Sequence, residues 1–202
     1  MRMRKKKWVK PFLENEAKYL TDNFEGSESK VYLEIGMGMG DFIVESAHNN
    51  PEILYIGLEK DETCTARAII KAQELGVNNL RIMHIDASNI EEHIKEKSID
   101  LIYLHFSDPW PKKAHHKRRL TYPVYLLKYS KILKDGAKII LKTDNKGFFE
   151  DSLEYFKESP FILEEINLDY HSELIGEPMT AYQKKFSELG QPIYYVSYLY
   201  KV

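Results

Sequence analysis

The run Val31-Tyr32-Leu33-Glu34-Ile35-Gly36-Met37-Gly38-Met39-Gly40-Asp41 joins an apolar stretch to a helix-like one through three glycines. Glycine permits tight turns and a close approach of backbone to ligand. The dinucleotide fingerprint G-x-G-x-x-G would need its third glycine at position 41, where Asp41 stands. A Walker A loop would need Gly-Lys-Ser/Thr, which is also missing. What remains is an acid, Glu34, ahead of Gly36, Gly38 and Gly40. An acid there repels a pyrophosphate and attracts a cation or an amine. S-adenosylmethionine carries a sulfonium, an ammonium and no phosphate, so it meets that demand. An ordinary strand–helix turn is the plain alternative.

Two further acids follow apolar runs at suitable spacing. Glu59 ends Tyr55-Ile56-Gly57-Leu58-Glu59, 19 residues after Gly40. A carboxylate about 20 residues beyond a glycine loop can accept both ribose hydroxyls. Asp86 closes Met83-His84-Ile85-Asp86 and can accept the exocyclic amine of adenine. Either acid alone would read as a solvated loop residue; the shared register with the glycine loop favours the ligand.

The run Leu104-His105-Phe106-Ser107-Asp108-Pro109-Trp110-Pro111-Lys112-Lys113 is more restrictive. Proline limits backbone freedom and donates no N–H, so Asp108 and Trp110 are held rigidly. A positioned carboxylate beside an aromatic ring suits a planar heterocycle with N–H donors. Guanine offers two, N1–H and its exocyclic amine. A structural turn with Trp110 in the core is the alternative. Residues Lys112-Lys113-Ala114-His115-His116-Lys117-Arg118-Arg119 then place five Lys or Arg among eight, a candidate contact for a polyanion. Lys142-Thr143-Asp144-Asn145 adds another acid, Asp144. Near the end, Thr180-Ala181-Tyr182-Gln183 sets two polar groups three residues apart, on one face if helical. A plain N-cap at Thr180 would also explain it.

These side chains need a scaffold. β-Branched apolar runs predict strands over 31–35, 54–58, 80–85, 101–106 and 138–142. Helical patterns fall between them at 41–49, 62–75 and 123–133, with stops at Gly76 and Asp135-Gly136. That alternation implies βαβ units and a parallel sheet. The strands are nearly continuous apolar runs, as expected when both faces are covered. Residues 145–158 read as another helix, 161–168 and 193–202 as late strands able to form an antiparallel edge, and 12–24 as a helix outside the sheet. Ligands bind beyond the carboxyl ends of strands in such folds. Glu34, Glu59, Asp86 and Asp108 would all face one crevice.

At 202 residues, 43% apolar and 30% charged, the chain suits one globular domain, 1–202, with a basic extension over about 1–10. Its one cysteine, Cys64, allows no intrachain disulfide. No apolar run suits a leader or a membrane span, so a cytoplasmic location and no membrane partner are expected. Monomer and homodimer are both compatible with it. The net charge of −2 hides its distribution. Residues 1–10 and 112–119 carry eleven basic residues and no acid, leaving 18 basic against 31 acidic elsewhere. This is an acidic domain with two basic segments, one beside the proposed crevice.

Together, Glu34-Ile35-Gly36-x-Gly38-x-Gly40, Gly57-Leu58-Glu59, Ser107-Asp108-Pro109-Trp110-Pro111-Lys112, Lys117-Arg118-Arg119, Lys142-Thr143-Asp144 and the stretch 182–190 resemble the bacterial tRNA (guanine-N7-)-methyltransferases, the TrmB family. The resemblance covers nearly the whole chain. It implies an α/β, Rossmann-like class I S-adenosylmethionine-dependent methyltransferase fold: a mostly parallel seven-stranded sheet with an antiparallel last strand. It implies cofactor contacts at Glu34, Gly36, Gly38, Gly40, Glu59, Asp86 and Asp108, and no metal. Substrate contacts are implied at Lys112, Asp144, Thr180, Ala181, Tyr182 and Gln183. The stretch Ala114, His115, His116, Lys117, Arg118 and Arg119 is implied to touch tRNA. The implied target is a guanosine of the tRNA variable loop, nucleotide 46. Gln183 departs from the Glu of many members, and Ser107 from their Pro; a Gln accepts a hydrogen bond without the charge.

Guanine N7 carries an exposed lone pair and needs no deprotonation to attack a methyl group. Asp108, the best catalytic candidate, is therefore expected to orient the base and offset charge growing on the ring. Three other readings compete. Asp-Pro-Trp is similar to the turn of adenine-N6 enzymes. An inactive RNA-binding protein could keep the fold, though the intact acids stand against it. A nicotinamide oxidoreductase is disfavoured by Asp41.

Overall fold

The structure is a computed structural model that describes residues 6–16, 18–171 and 176–201. Seven strands, β1 (Val31–Ile35), β2 (Leu54–Leu58), β3 (Leu80–Met83), β4 (Ile99–His105), β5 (Leu133–Thr143), β6 (Phe161–Asn167) and β7 (Tyr194–Tyr200), form one sheet. Their spatial order is β3-β2-β1-β4-β5-β7-β6. Strands β1 to β5 pair in parallel. β7 is antiparallel to both its neighbours, β5 and β6. The order reverses between β1 and β4, so a crevice opens beyond their carboxyl ends.

Helices cover both faces. α1 (Val9–Glu14), α2 (Asp41–Asn49) and α3 (Glu62–Glu74) lie on one side; α4 (Ile90–His93), α5 (Pro123–Ile132) and α6 (Lys146–Lys157) lie on the other. Their starts follow the sequence. Asp61 caps α3 by accepting from the N–H groups of Thr63 and Cys64 at 2.9 and 3.1 Å. Asn145 caps α6 through the Phe148 N–H at 2.8 Å. Pro123 opens α5, where its missing N–H costs nothing. Strand side chains alternate between two cores: Leu33 and Ile35 meet Leu126, Tyr129 and Phe148 on one face, while Phe42, Ile69 and Tyr103 pack on the other.

Two expected elements differ. The helix over 12–24 is confined to Val9–Glu14. Beyond it, Leu20 bridges to Ile82, Phe24 bridges to Ile94, and the Tyr19 hydroxyl donates to the Val77 carbonyl at 2.9 Å. Edge pairing and burial of two aromatic rings outweigh the helical pattern here. The Asp135-Gly136 stop lies inside a strand, because β5 starts at Leu133 and bulges through Gly136 (φ +77°) before regaining register with β4 at Lys138. The last helix, α7 (Ala181–Glu188), precedes β7 and is capped by Thr180, whose Oγ1 accepts from the Gln183 N–H at 3.0 Å.

Candidate active site

The glycine loop links β1 to α2. Gly36, Gly38 and Gly40 all have positive φ, +77°, +56° and +76°, which a side chain would strain. A Cβ on Gly40 would also lie 2.7 Å from the Ala68 Cβ. At Gly38 no atom lies within 4 Å of a Cβ position, so the backbone there borders open space. Asp41, which breaks the dinucleotide pattern, forms an ion pair with Lys71 of α3.

Glu34 lies at the floor of the loop and is 2% exposed. Its Oε2 is buried without a hydrogen-bond partner among the described residues. Burial pushes its carboxyl well above the usual range, and Lys142 pulls it back. His105 Nδ1 stands 3.4 Å from Glu34 Oε1 without hydrogen-bonding geometry. Burial, then Lys142, push that imidazole well below its usual pKa. A buried carboxyl with an orphaned oxygen is completed by an incoming cation or N–H donor.

Glu59 is held from both sides. Its Oε2 accepts from the Gly38 N–H at 3.0 Å and its Oε1 from the Asp61 N–H at 2.9 Å. Each oxygen keeps a second lone pair for a ligand. Asp86 opens a 3-10 turn, accepting from the Ser88 N–H at 2.9 Å. Burial raises its carboxyl pKa, but the Ser88 bonds and Lys60 outweigh it, and the net shift is downward. The orphaned oxygen, the glycine cradle and the two oriented carboxylates are chemically compatible with an S-adenosylmethionine-like ligand.

Asp108 is exposed beyond β4. Phe106 (φ +49°) and Trp110 (φ +40°) flank it in left-handed backbone, a strain that clusters at functional sites. The Arg118 guanidinium lies 4.9 Å from the centre of the Trp110 ring, and His115 meets that ring edge-on at 5.8 Å. Trp110 is therefore a half-exposed platform, not a core residue.

The basic segment divides. Lys112, Lys113, Ala114, Lys117 and Arg118 are exposed. His116 turns toward α6, 3.3 Å from the Tyr155 hydroxyl. Arg119 differs from the expected surface contact: it is 3% exposed. Its Nε donates to the Pro109 carbonyl at 2.7 Å, and its Nη1 meets Asp151 Oδ2 at 2.6 Å. It ties the Asp-Pro-Trp-Pro loop to α6.

The C-terminal segment reaches the same end of the sheet. Tyr182 is 58% exposed and lies parallel to Phe106 with ring centres 6.4 Å apart; Phe186 lies 6.1 Å from Phe106. Gln183 is buried and Ala181 exposed. Asp144, half-buried, follows the last residue of β5. Phe106, Lys142, Glu177 and Tyr170 also meet at this end of the sheet, with no role expected from their sequence context. Lys142 carries a visible signal, a lysine inside an apolar strand; Glu177 sits in a loop with no periodicity to mark it. Among the described residues, no cluster of three His, Cys, Asp or Glu is placed to hold a metal, and no helix is long and apolar enough to cross a membrane.

Comparison with known proteins supplies the family. Residues 28–196 match a family described as putative methyltransferase. The tRNA (guanine-N(7)-)-methyltransferase of Bacillus velezensis is 41% identical over 205 residues, covering 96% of this chain and 94% of the relative. Among solved structures, the 16S rRNA methyltransferase KamB superposes with a TM-score of 0.65 at 14% identity, over 99% of this chain and 96% of that one. A SAM-dependent methyltransferase from Aquifex aeolicus gives 0.61 at 11% identity, over 95% and 88%. The seven-stranded sheet, the glycine loop with its acids, and this full-length similarity place the chain in the tRNA (guanine-N(7)-)-methyltransferase family.

Proposed function

We propose that the protein transfers a methyl group from S-adenosylmethionine to N7 of guanine 46 in the tRNA variable loop, giving 7-methylguanosine. The observation that carries this reading is the junction of two half-sites at the sheet's switch point. Glu34 and Glu59 form an amine- and ribose-binding half at β1 and β2, and Asp108, Phe106 and Tyr182 form a base-binding half at β4 and α7.

S-adenosylmethionine, when bound, supplies an electrophilic methyl on a sulfonium. The chain's residues bind and orient. Glu34 takes the ammonium, Glu59 the ribose hydroxyls, Asp86 the adenine amine. Asp108 accepts from guanine N1–H and the exocyclic amine, which fixes the ring so that N7 faces the methyl. It also offsets the positive charge that grows on the ring. Asp144 and Lys112 complete the substrate side, and Lys117 and Arg118 meet backbone phosphates. Arg119 acts through the loop that it anchors. Holding both reactants in line contributes much of the rate; well-oriented pairs gain about 7–11 kcal/mol. The reaction belongs where tRNA is, in the cytoplasm.

The test is methyl transfer to an unmodified tRNA transcript, followed by nucleoside mass analysis. The expected product is 7-methylguanosine, lost when guanine 46 is replaced. N6-methyladenosine, or retention of tRNA without transfer, would overturn the reading.

A further inference from the structure

Lys142 is fully buried in the middle of the sheet, with no place in the chemistry above. It pairs in register with His105 of β4 on one side and Tyr195 of β7 on the other. Its Nζ lies 2.5 Å from Glu177 Oε2, and the Tyr170 hydroxyl donates to that same oxygen at 2.9 Å. The Tyr170 ring, stacked on Tyr195 with centres 4.4 Å apart, places its centre 4.7 Å from Nζ. The Phe42 ring centre lies 5.9 Å from the same Nζ. Burial pulls the ammonium's pKa down and Glu177 raises it again. Among the described residues Lys142 thus stands between two acids: Glu177, which it bonds three residues before the cap of α7, and Glu34, which lies 3.4 Å from its register partner His105 and acts on its charge.

We infer that Lys142 is a positioning residue whose commitment to Glu177 leaves Glu34 free for the cofactor amine, and so links cofactor binding to the seating of the substrate helix. The inference rests on the proposed cofactor site. With a ligand ammonium on Glu34, the buried charges resolve into two neutral pairs, Glu34 with the ligand and Lys142 with Glu177. Buried charges are tolerated when paired. Remove the Glu177 charge and, among the described residues, Glu34 is the acid that still acts on Lys142. It then competes with the ligand amine. Removal of both charges ends the competition. Glu177 leads into α7, whose Tyr182 lies parallel to the Phe106 ring. The latch therefore acts on both half-sites.

The experiment is calorimetric titration of the full chain with S-adenosylhomocysteine, which keeps the amino-acid moiety. Wild type, Glu177→Gln, Lys142→Met and the double variant are compared, with thermal melts to verify folding. Glu177→Gln is expected to weaken binding on the order of tenfold, a common size for coupled sites. The double variant is expected to recover most of that loss, and Glu177→Asp to keep affinity near wild type. Equal losses in Glu177→Gln and the double variant, or none in Glu177→Gln, would overturn the latch. No binding by wild type would instead overturn the proposed cofactor site. Should Lys142→Met fail to fold, Lys142→Gln in the same pairing decides between the outcomes.

Discussion

Arg119 of the basic segment is joined to Asp151 of α6 at 2.6 Å, while its Nε holds the Pro109 carbonyl at 2.7 Å. One buried guanidinium therefore sets the backbone beside Asp108. A planar fork with several donors does this where a lysine would not. Arg119→Met is expected to lower stability by about 1–2 kcal/mol, because the Pro109 carbonyl and the half-exposed Asp151 carboxylate lose their donor. Turnover should fall with tRNA affinity nearly unchanged. Denaturant melts and filter binding test this; a loss of tRNA affinity at unchanged stability would return Arg119 to the RNA surface.

The exposed cations should behave in the opposite way. Neutralising Lys112, Lys113, Lys117 and Arg118 leaves the core untouched, since all are exposed. Each phosphate that a cation no longer neutralises lowers the slope of log K against log salt by about 0.9 in duplex regions. The expected outcome is weaker tRNA binding, a flatter salt dependence and an unchanged melting temperature. An unchanged slope would remove this segment from the footprint.

Glu34 gives a pH-dependent prediction. Burial raises its carboxyl well above the ordinary value of 4.5. Between about pH 4.5 and the folded pKa the folded chain therefore binds more protons than the unfolded one, and stability falls as pH rises through that window. Glu34→Gln lacks this penalty. It should melt a few degrees above wild type at pH 8, with the gain shrinking toward pH 4.5, yet bind S-adenosylhomocysteine poorly. A melting difference that does not change with pH would show that Glu34 is ionised in the free protein at every pH tested.

Why these residues are only partly legible in the sequence follows from the range of their interactions. The glycine loop, Glu59, Asp86 and Asp108 stand out because local backbone places them: each follows a strand end by one to three residues. Thr180 is legible as a cap for the same reason. Arg119 looks like its neighbours in a charge run, since its partner Asp151 lies 32 residues away. The Lys142–Glu177 pair spans 35 residues. Residues 15–24 carry enough helical pattern to suggest a longer helix, but Tyr19 and Leu20 are captured by β3 and its approach, an arrangement no local signal encodes.

A substitution at Asp108 separates its proposed catalytic role from binding. Asp108 is exposed, and it is held in place by the backbone of its own loop. Asp108→Ala should leave the fold and tRNA affinity largely intact while kcat falls by about 10²-fold or more, the typical loss of one preorganised electrostatic partner. Single-turnover methyl transfer on saturating tRNA measures this directly. Rates close to wild type would remove Asp108 from the reaction.

The cradle itself can be tested by a compensating pair. Gly40 combines a positive φ of +76° with a Cβ position 2.7 Å from the Ala68 Cβ of α3. Gly40→Ala meets both obstacles at once, so α2 must move away from α3 and carry the loop with it. Ala68→Gly removes the worst contact but leaves the Ala68 Cα and Val44 Cγ2 at 3.2 Å, together with the backbone strain, about 1–2 kcal/mol for a left-handed residue. The double variant Gly40→Ala/Ala68→Gly should therefore recover cofactor affinity further than stability, since glycine inside α3 adds its own cost of about 1 kcal/mol. Calorimetry and denaturant melts on the same four proteins separate the two effects. Full loss of binding in the double variant would mean that Gly40 serves the ligand through its conformation and not through helix packing.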